Sequence, residues 1–189
     1  MSKLVFIDIE TTGLISGYHE IIEIAIVDEQ GNKYHEKIKP KRIQLADMRA
    51  LNINGYKYKS WLNAIEPSQA AYEICDMLKD CTIVAHNPHF DMQFIDELLH
   101  EHGYQSSWKR RYIDTITLAY EHLKPLGISS CSLDDCRRFF GWSTSLSHTA
   151  LQDAKDCRRL YYKLARASYI KRSSWLIWPK IRGFLNLLR

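Results

Sequence analysis

Residues 148–154 read HTALQDA, with a histidine at 148 and an aspartate at 153. Histidine can take up a proton near neutral pH, and a carboxylate can hold a hard cation. A helix turns about 100° per residue, so a five-residue step rotates a side chain by roughly 140°. His148 and Asp153 can therefore serve one ligand only if the histidine stands at or before the helix start, where the chain can bend. Two other acidic stretches bear on this. In FIDIE, Asp8 and Glu10 are two residues apart, and strand alternation puts both on one face. Either they point into solvent beyond the strand end, or a divalent cation neutralises them; oxygen ligands of this kind suit Mg²⁺ or Mn²⁺. TTGL follows, and its Gly13 allows the backbone to come close to a ligand. In AHNPHFD, Asp91 is either a first-turn acid favoured by the helix dipole or a further carboxylate aimed at a metal from the end of a second strand.

The flanking patterns predict the elements that carry these groups. KLVFIDI is a short apolar run and predicts a buried strand. Residues 21–39 predict a hairpin with arms at 21–28 and 33–39 and a turn near Gln30-Gly31-Asn32. Residues 41–65 show no clean period, which predicts loops and short helices. PSQAAYEICDMLKDC predicts a helix, TIVAHN a second buried strand, and FDMQFIDELLHEHG a helix closed by Gly103. IDTITLAYEHLKPLG predicts a helix stopped by Pro125, in which Asp114 is a structural residue that caps the start. SLDDCRRFFG predicts a short helix capped by Ser132, WSTSLS a mobile polar loop, and HTALQDAKDCRRLYYKLARASY a long helix. Strands first and helices later, with a hairpin among them, predict an α/β fold with a mixed sheet.

The chain has 189 residues, 46% of them apolar and 25% charged, as in a soluble globular domain. No apolar run is long enough for a transmembrane segment, and Asp8 and Glu10 interrupt any signal sequence. Five scattered cysteines without a C-x-x-C pair point to a reduced, cytoplasmic chain and away from zinc held by cysteine. The formal charge of +4 is uneven: nine of the 26 basic and none of the 22 acidic residues lie from Cys157 onward, leaving the rest at −5. An acidic body fits gathered carboxylates, and a basic tail fits a polyanionic partner.

FIDIETTGL, VAHNPHFD and HTALQDA, in this order, resemble the three motifs of the DEDDh-type 3′–5′ exonucleases, the family of the proofreading subunit of bacterial replicative DNA polymerase. YIDTITLA and SLDDCRRFFG resemble the segments between its second and third motifs, and the likeness covers about residues 3–165. The resemblance implies a ribonuclease H-like fold, with a central mixed β-sheet flanked by helices. It implies that Asp8, Glu10, Asp91 and Asp153 organise two divalent metal ions and that His148 is the general base. Asp8 would bridge the ions, Glu10 and Asp153 would serve the ion on the nucleophile side, and Asp91 would act partly through water. Thr11, Thr12, Gly13 and Leu14 would shape the pocket for the terminal nucleotide, with Leu14 as a wedge between the last bases. Asn87 either bonds phosphate or braces its strand end. His86 and His89 read as structural or solvent-facing rather than as a metal pair, and Trp61, Trp108 and Trp142 as packing residues rather than base-stacking ones.

The chemistry suits these residues. Two metal ions about 3.5–4 Å apart activate water, relieve phosphate charge and stabilise the leaving oxygen. A general base contributes about 10²–10⁴-fold, and a helix start favours the neutral imidazole that a base requires. The expectation is a metal-dependent 3′–5′ exonuclease that releases nucleoside monophosphates from nucleic-acid 3′ ends, DNA favoured over RNA. The alternatives are an exoribonuclease and, in another class, a non-catalytic nucleic-acid or polymerase-binding module on the same fold. Residues 1–168 form the expected exonuclease domain. Residues 169–189 form a basic, apolar tail expected to pack on the body, or else to dock on a protein partner, an anionic surface or nucleic acid.

Overall fold

The computed structural model describes residues 3–108, 111–145 and 147–165. Along the chain these form β1 (Leu4–Thr11), β2 (Ile21–Asp28), β3 (Lys33–Lys37), α1 (Met48–Ile53), α2 (Pro67–Met77), β4 (Thr82–Ala85), α3 (Pro88–Glu101), β5 (Tyr112–Asp114), α4 (Thr115–Leu123), α5 (Leu133–Phe140) and α6 (Ala150–Ala165). The expected basic tail lies outside the described residues. Among those described, no helix is long and apolar enough to cross a membrane.

The sheet runs β3-β2-β1-β4-β5. β1 pairs antiparallel with β2 and parallel with β4, so the sheet is mixed, as expected. The hairpin forms where the pattern placed it. The Asp28 carboxylate accepts from the Gln30 and Asn32 N–H groups, both at 2.9 Å, and Gly31 supplies the positive φ of 91° that the turn needs. Its second arm is shorter than expected: the strand ends at Lys37, and Ile38, whose N–H still donates to Ile22 O at 2.8 Å, forms an isolated bridge with Ile65.

Alternation along β1 decides where the acids go. Val5, Ile7 and Ile9 pack with Ile74 of α2 and Ile95 and Leu98 of α3. Phe6 points to the other face, against Ala25, Val84 and the α6 residues Ala150, Ala154 and Cys157. Asp8 and Glu10 continue the Phe6 row, so both stand on the α6 face. Small residues at Ala25, Ala150 and Ala154, all fully buried, let α6 lie close over β1 and β2.

The helix expected over 113–127 needs correction. Tyr112–Asp114 is a parallel edge strand on β4, and α4 starts only at Thr115. Asp114 is its cap, accepting from the Ile116 N–H at 2.9 Å. Lys124–Leu126 continues beyond α4 as a 3₁₀ turn that includes Pro125. Ser132 caps α5 through the Asp135 N–H, as expected.

Because α6 depends on small side chains to approach the sheet, Ala154→Leu overpacks this face. Overpacking costs about 1–3 kcal/mol, so urea unfolding should show a lower midpoint at unchanged slope. An unaltered midpoint would mean that α6 is not seated as described.

Candidate active site

Ligand atoms of Asp8, Glu10 and Asp153 all lie within 4.8 Å of one another. Two come from β1 and one from the first turn of α6. Asp91, in the first turn of α3, stands beside this group and is only 4% exposed. The structure therefore brings three of the four expected acids into one cluster and buries the fourth against it.

The electrostatics follow from that crowding. Burial, then the charges of Asp91, Asp153 and Glu10, hold the Asp8 carboxyl well above the usual carboxylate range. Burial, then Asp153, Glu23 and Asp91, push Glu10 up to about 8. Burial raises Asp91 to about 7, against main-chain hydrogen bonds at Asp91 and Ile9 that pull it down. Asp153 is raised by burial although Arg137 opposes the shift. These acids cannot all ionise together without a counter-charge. Close-set hard oxygen donors fit divalent cations, and no soft ligand competes in the group.

His148 precedes α6 by two residues and takes a left-handed φ of 63°. That bend brings its N–H to Asp153 Oδ2 at 3.4 Å, a long contact, despite the five-residue step. The ring itself lies outside the carboxylate group, 51% exposed, with Nε2 4.0 Å from Asp134 Oδ2.

The turn after β1 is braced from several sides. The Thr11 hydroxyl donates to Gly13 O at 2.6 Å, and the Thr12 hydroxyl accepts from the Glu20 N–H at 2.9 Å. These hydroxyls hold the turn. The Asn54 side chain donates to Thr11 O at 2.9 Å and the Asp47 N–H to Thr12 O at 2.7 Å, which ties α1 to the same turn. Packing alone also calls for glycine at position 13: a Cβ there would collide with the His19 ring. His19 Nδ1 in turn accepts the Ile15 N–H at 3.0 Å. Leu14, at the tip, is 76% exposed. Asn87 has a left-handed φ of 80° and an exposed side chain; its N–H donates to Asp114 Oδ1 at 3.2 Å, so its backbone braces the strand end.

His86 and His89 do not form a metal pair: His86 Nδ1 bonds Thr115 Oγ1 and His89 Nε2 faces Gln93. Trp61 and Trp108 are buried, and Trp142 stacks on Phe140 beneath Arg159. Sequence reasoning missed Glu23, which opposes Glu10 across β1–β2 and pairs with His35 at 2.8 Å. It also missed Arg137, which reaches Asp153 from α5, together with Asp134 and Asp156. The only signal was Glu23 inside the apolar run IIEIAIVD.

Carboxyls whose pKa rises on folding stabilise the protein below their ordinary pKa, and that stability is lost as pH climbs through the folded value. For Glu10 and Asp91 the loss ends near 8 and 7. Buried His86, held at about 4, adds stability with rising pH only up to its ordinary 6.5. Between pH 6.5 and 8 the carboxyls dominate, at about 1.4 kcal/mol per pH unit for each proton held only by the folded state. The melting temperature in chelator should therefore fall over this window, and saturating Mn²⁺ should remove the fall. Parallel pH profiles with and without Mn²⁺ would contradict a cation at these acids.

Residues 5–161 match the family described as Exonuclease. A PolC-type DNA polymerase III of Thermotoga maritima is 34% identical over 166 residues, 86% of this chain and 12% of that protein. The 3′-5′ exonuclease DinG of Staphylococcus aureus is 29% identical over 169 residues, 85% of this chain and 18% of that protein. The chain thus spans less than a fifth of the length of these relatives. Among solved structures, a zinc-bound E. coli exonuclease I–single-stranded DNA complex superposes with a TM-score of 0.77 at 19% identity, covering 100% of this chain and 45% of that one. A complex of exonuclease I with a dT13 oligonucleotide gives 0.74, also at 19%, over 86% and 41%. The mixed five-stranded sheet with its flanking helices is thereby the ribonuclease H-like fold that the motifs implied. With the acids of those motifs gathered at one site and most of its length matched, the chain belongs to the exonuclease family.

Proposed function

We propose that this chain is a metal-dependent 3′–5′ exonuclease that releases nucleoside monophosphates from the 3′ ends of DNA. The observation that carries this reading is the convergence of the Asp8, Glu10 and Asp153 ligand atoms, with buried Asp91 beside them. Asp8, Glu10 and Asp153 would hold the ions, and Asp91 would complete the set. Bound there, two divalent cations, Mg²⁺ or Mn²⁺, would supply charge relief at the phosphate, a more acidic attacking water and stabilisation of the leaving oxygen.

The chain's own groups do the rest. His148 accepts the proton of the attacking water after its exposed ring, whose Nε2 rests 4.0 Å from Asp134 Oδ2, turns in toward the acids. Leu14, apolar and exposed on a braced turn, presses against the terminal bases and frays the end into the site. The main chain of Thr11, Thr12 and Gly13 would form the floor beside it. Exposed Asn87 is available to phosphate. DNA is favoured because the relatives include a DNA polymerase and the structural neighbours hold DNA oligonucleotides.

The direct test supplies 5′-labelled single-stranded DNA, a duplex with a 3′ mismatch, and RNA of the same sequence. With Mn²⁺, DNA should shorten as a ladder from its 3′ end, RNA more slowly. Cleavage of circular single strands, or full activity in excess chelator, would sink the reading; faster loss of RNA would move the substrate to RNA.

The assignment of base and ligands is tested separately. Asp8→Asn and Asp153→Asn should lower turnover by at least about 10³-fold and weaken Mn²⁺ binding. His148→Ala should lower turnover by about 10²–10⁴-fold with Mn²⁺ binding intact. Calorimetry in which His148→Ala loses Mn²⁺ as badly as Asp8→Asn would make His148 a ligand.

A further inference from the structure

Arg137 is 1% exposed, the most deeply buried charged side chain among the described residues. Its guanidinium is shared by three separate pieces of the fold. Nη1 donates to Asp134 Oδ1 on its own helix at 2.7 Å and to the Ser147 hydroxyl at 3.1 Å. Nη2 donates to Asp153 Oδ1 at 2.7 Å, and Nε to Asp156 Oδ2 at 2.9 Å, one turn further along α6. Ser147 immediately precedes His148 and also donates to Asp134 at 2.7 Å. One cation therefore joins α5, the residue before the proposed base, and a proposed metal ligand.

We propose that Arg137 is a positioning residue for the metal centre: its guanidinium fork fixes the Asp153 carboxylate and locks the His148 segment to it. The inference rests on the reading of Asp153 as a ligand. An aspartate carboxylate rotates through a broad range about its last bond. A short, charge-assisted bond to Oδ1 removes that freedom. Among the described residues, the hydrogen bond to Oδ2 is the long 3.4 Å contact from the His148 N–H, which leaves this oxygen room for a cation. Asp156 and Asp134 hold the guanidinium itself at two edges, so its aim does not depend on Asp153.

Charge and geometry make opposite predictions here. Placing a permanent positive charge beside a cation site weakens cation binding, so a purely electrostatic Arg137 would be a hindrance. Fixing a ligand strengthens binding, and partners that orient metal ligands are typically worth about 10–100-fold in affinity or activity. Arg137→Lys separates the two. It keeps the charge, but a single ammonium cannot reach Asp134, Asp153 and Asp156 in the guanidinium's planar arrangement.

The experiment measures Mn²⁺ binding by electron paramagnetic resonance on the protein alone, and turnover on 5′-labelled single-stranded DNA, both well below each melting temperature. Leu133→Ala, in the apolar cluster under α5 and with a side chain that makes none of these polar bonds, is the comparison for loosened packing. Arg137→Lys should weaken Mn²⁺ binding about tenfold and lower turnover by at least tenfold. Leu133→Ala should lower only the melting temperature. Asp156→Asn, which frees one edge of the guanidinium, should shift both readouts in the same direction by a smaller factor, and it serves if Arg137→Lys does not fold. If Arg137→Lys, or in its place Asp156→Asn, matches Leu133→Ala in Mn²⁺ binding and turnover, Arg137 is a structural tie and the proposal is wrong. If Asp153→Asn itself keeps full Mn²⁺ binding, the reading of the ligand set has failed instead.

Discussion

Asp8 and Glu10 leave the same face of β1 and meet Asp153 within a few ångströms, under a helix that shields them from water. Repulsion among these groups, sharpened by burial, is the constraint that the surrounding structure answers. Glu10 and Asp91 are driven up to about 8 and 7, so near neutral pH the chain holds protons where the proposed cations would bind. Each neighbouring feature either removes a charge from this crowd or fixes its direction. His35 takes up Glu23, which would otherwise stand unpaired across from Glu10. Arg137 takes one oxygen of Asp153 and offsets part of its charge. Unpaired, these charges would be costly to bury; paired, they leave a pocket of acids whose deficit suits a divalent ion.

Most of the scaffold was legible because it follows periodicity. The two-residue alternation of β1 alone places Phe6, Asp8 and Glu10 on one face, and the α6 pattern puts Ala150, Ala154 and Cys157 against it. Asp114 and Ser132 announced themselves as caps. What escaped lacks a period or a composition signal. Tyr112–Asp114 is too short to alternate, and its apolar Ile113 runs on into a helix, so the strand was absorbed into α4. Gly13 reads as a residue that yields to a ligand; that it also yields to His19, six residues on and brought back by the turn, has no local signal. Arg137 sits in the string DDCRRFF, where neighbouring Arg138 is identical in type yet exposed on a salt bridge with Asp135. Nothing local tells the two arginines apart; only the helix phase relative to α6 does, and that is a tertiary fact.

Backbone strain concentrates where the site needs it. Three non-glycine residues among those described have positive φ: Asp80, Asn87 and His148. The last two border the carboxylate cluster, one at each helix that delivers an acid to it. Left-handed backbone at such residues persists only where the surroundings enforce it. At Asn87 the Asp114 carboxylate holds the N–H, and at His148 the Asp153 carboxylate does the same. In both places a side-chain acid stabilises a bend that starts a helix, and each helix carries a metal-ligand candidate in its first turn.

The left-handed step at His148 also bears on why the proposed proton acceptor would be a histidine set apart from the acids. Once cations are bound, the carboxylates are ionised and engaged, and an engaged carboxylate is a poor proton acceptor. Other histidines are committed elsewhere: His86 to Thr115, His19 to the Ile15 N–H, His35 to Glu23. Among the described residues, His148 combines an exposed ring with a main chain fastened to a proposed ligand. Had α6 begun two residues earlier, the five-residue step would have sent the ring to the far side of the helix from Asp153. By bending before the helix, the chain keeps the imidazole near the cluster without adding another donor to it, and the Arg137–Ser147–Asp134 bonds hold that bend in place.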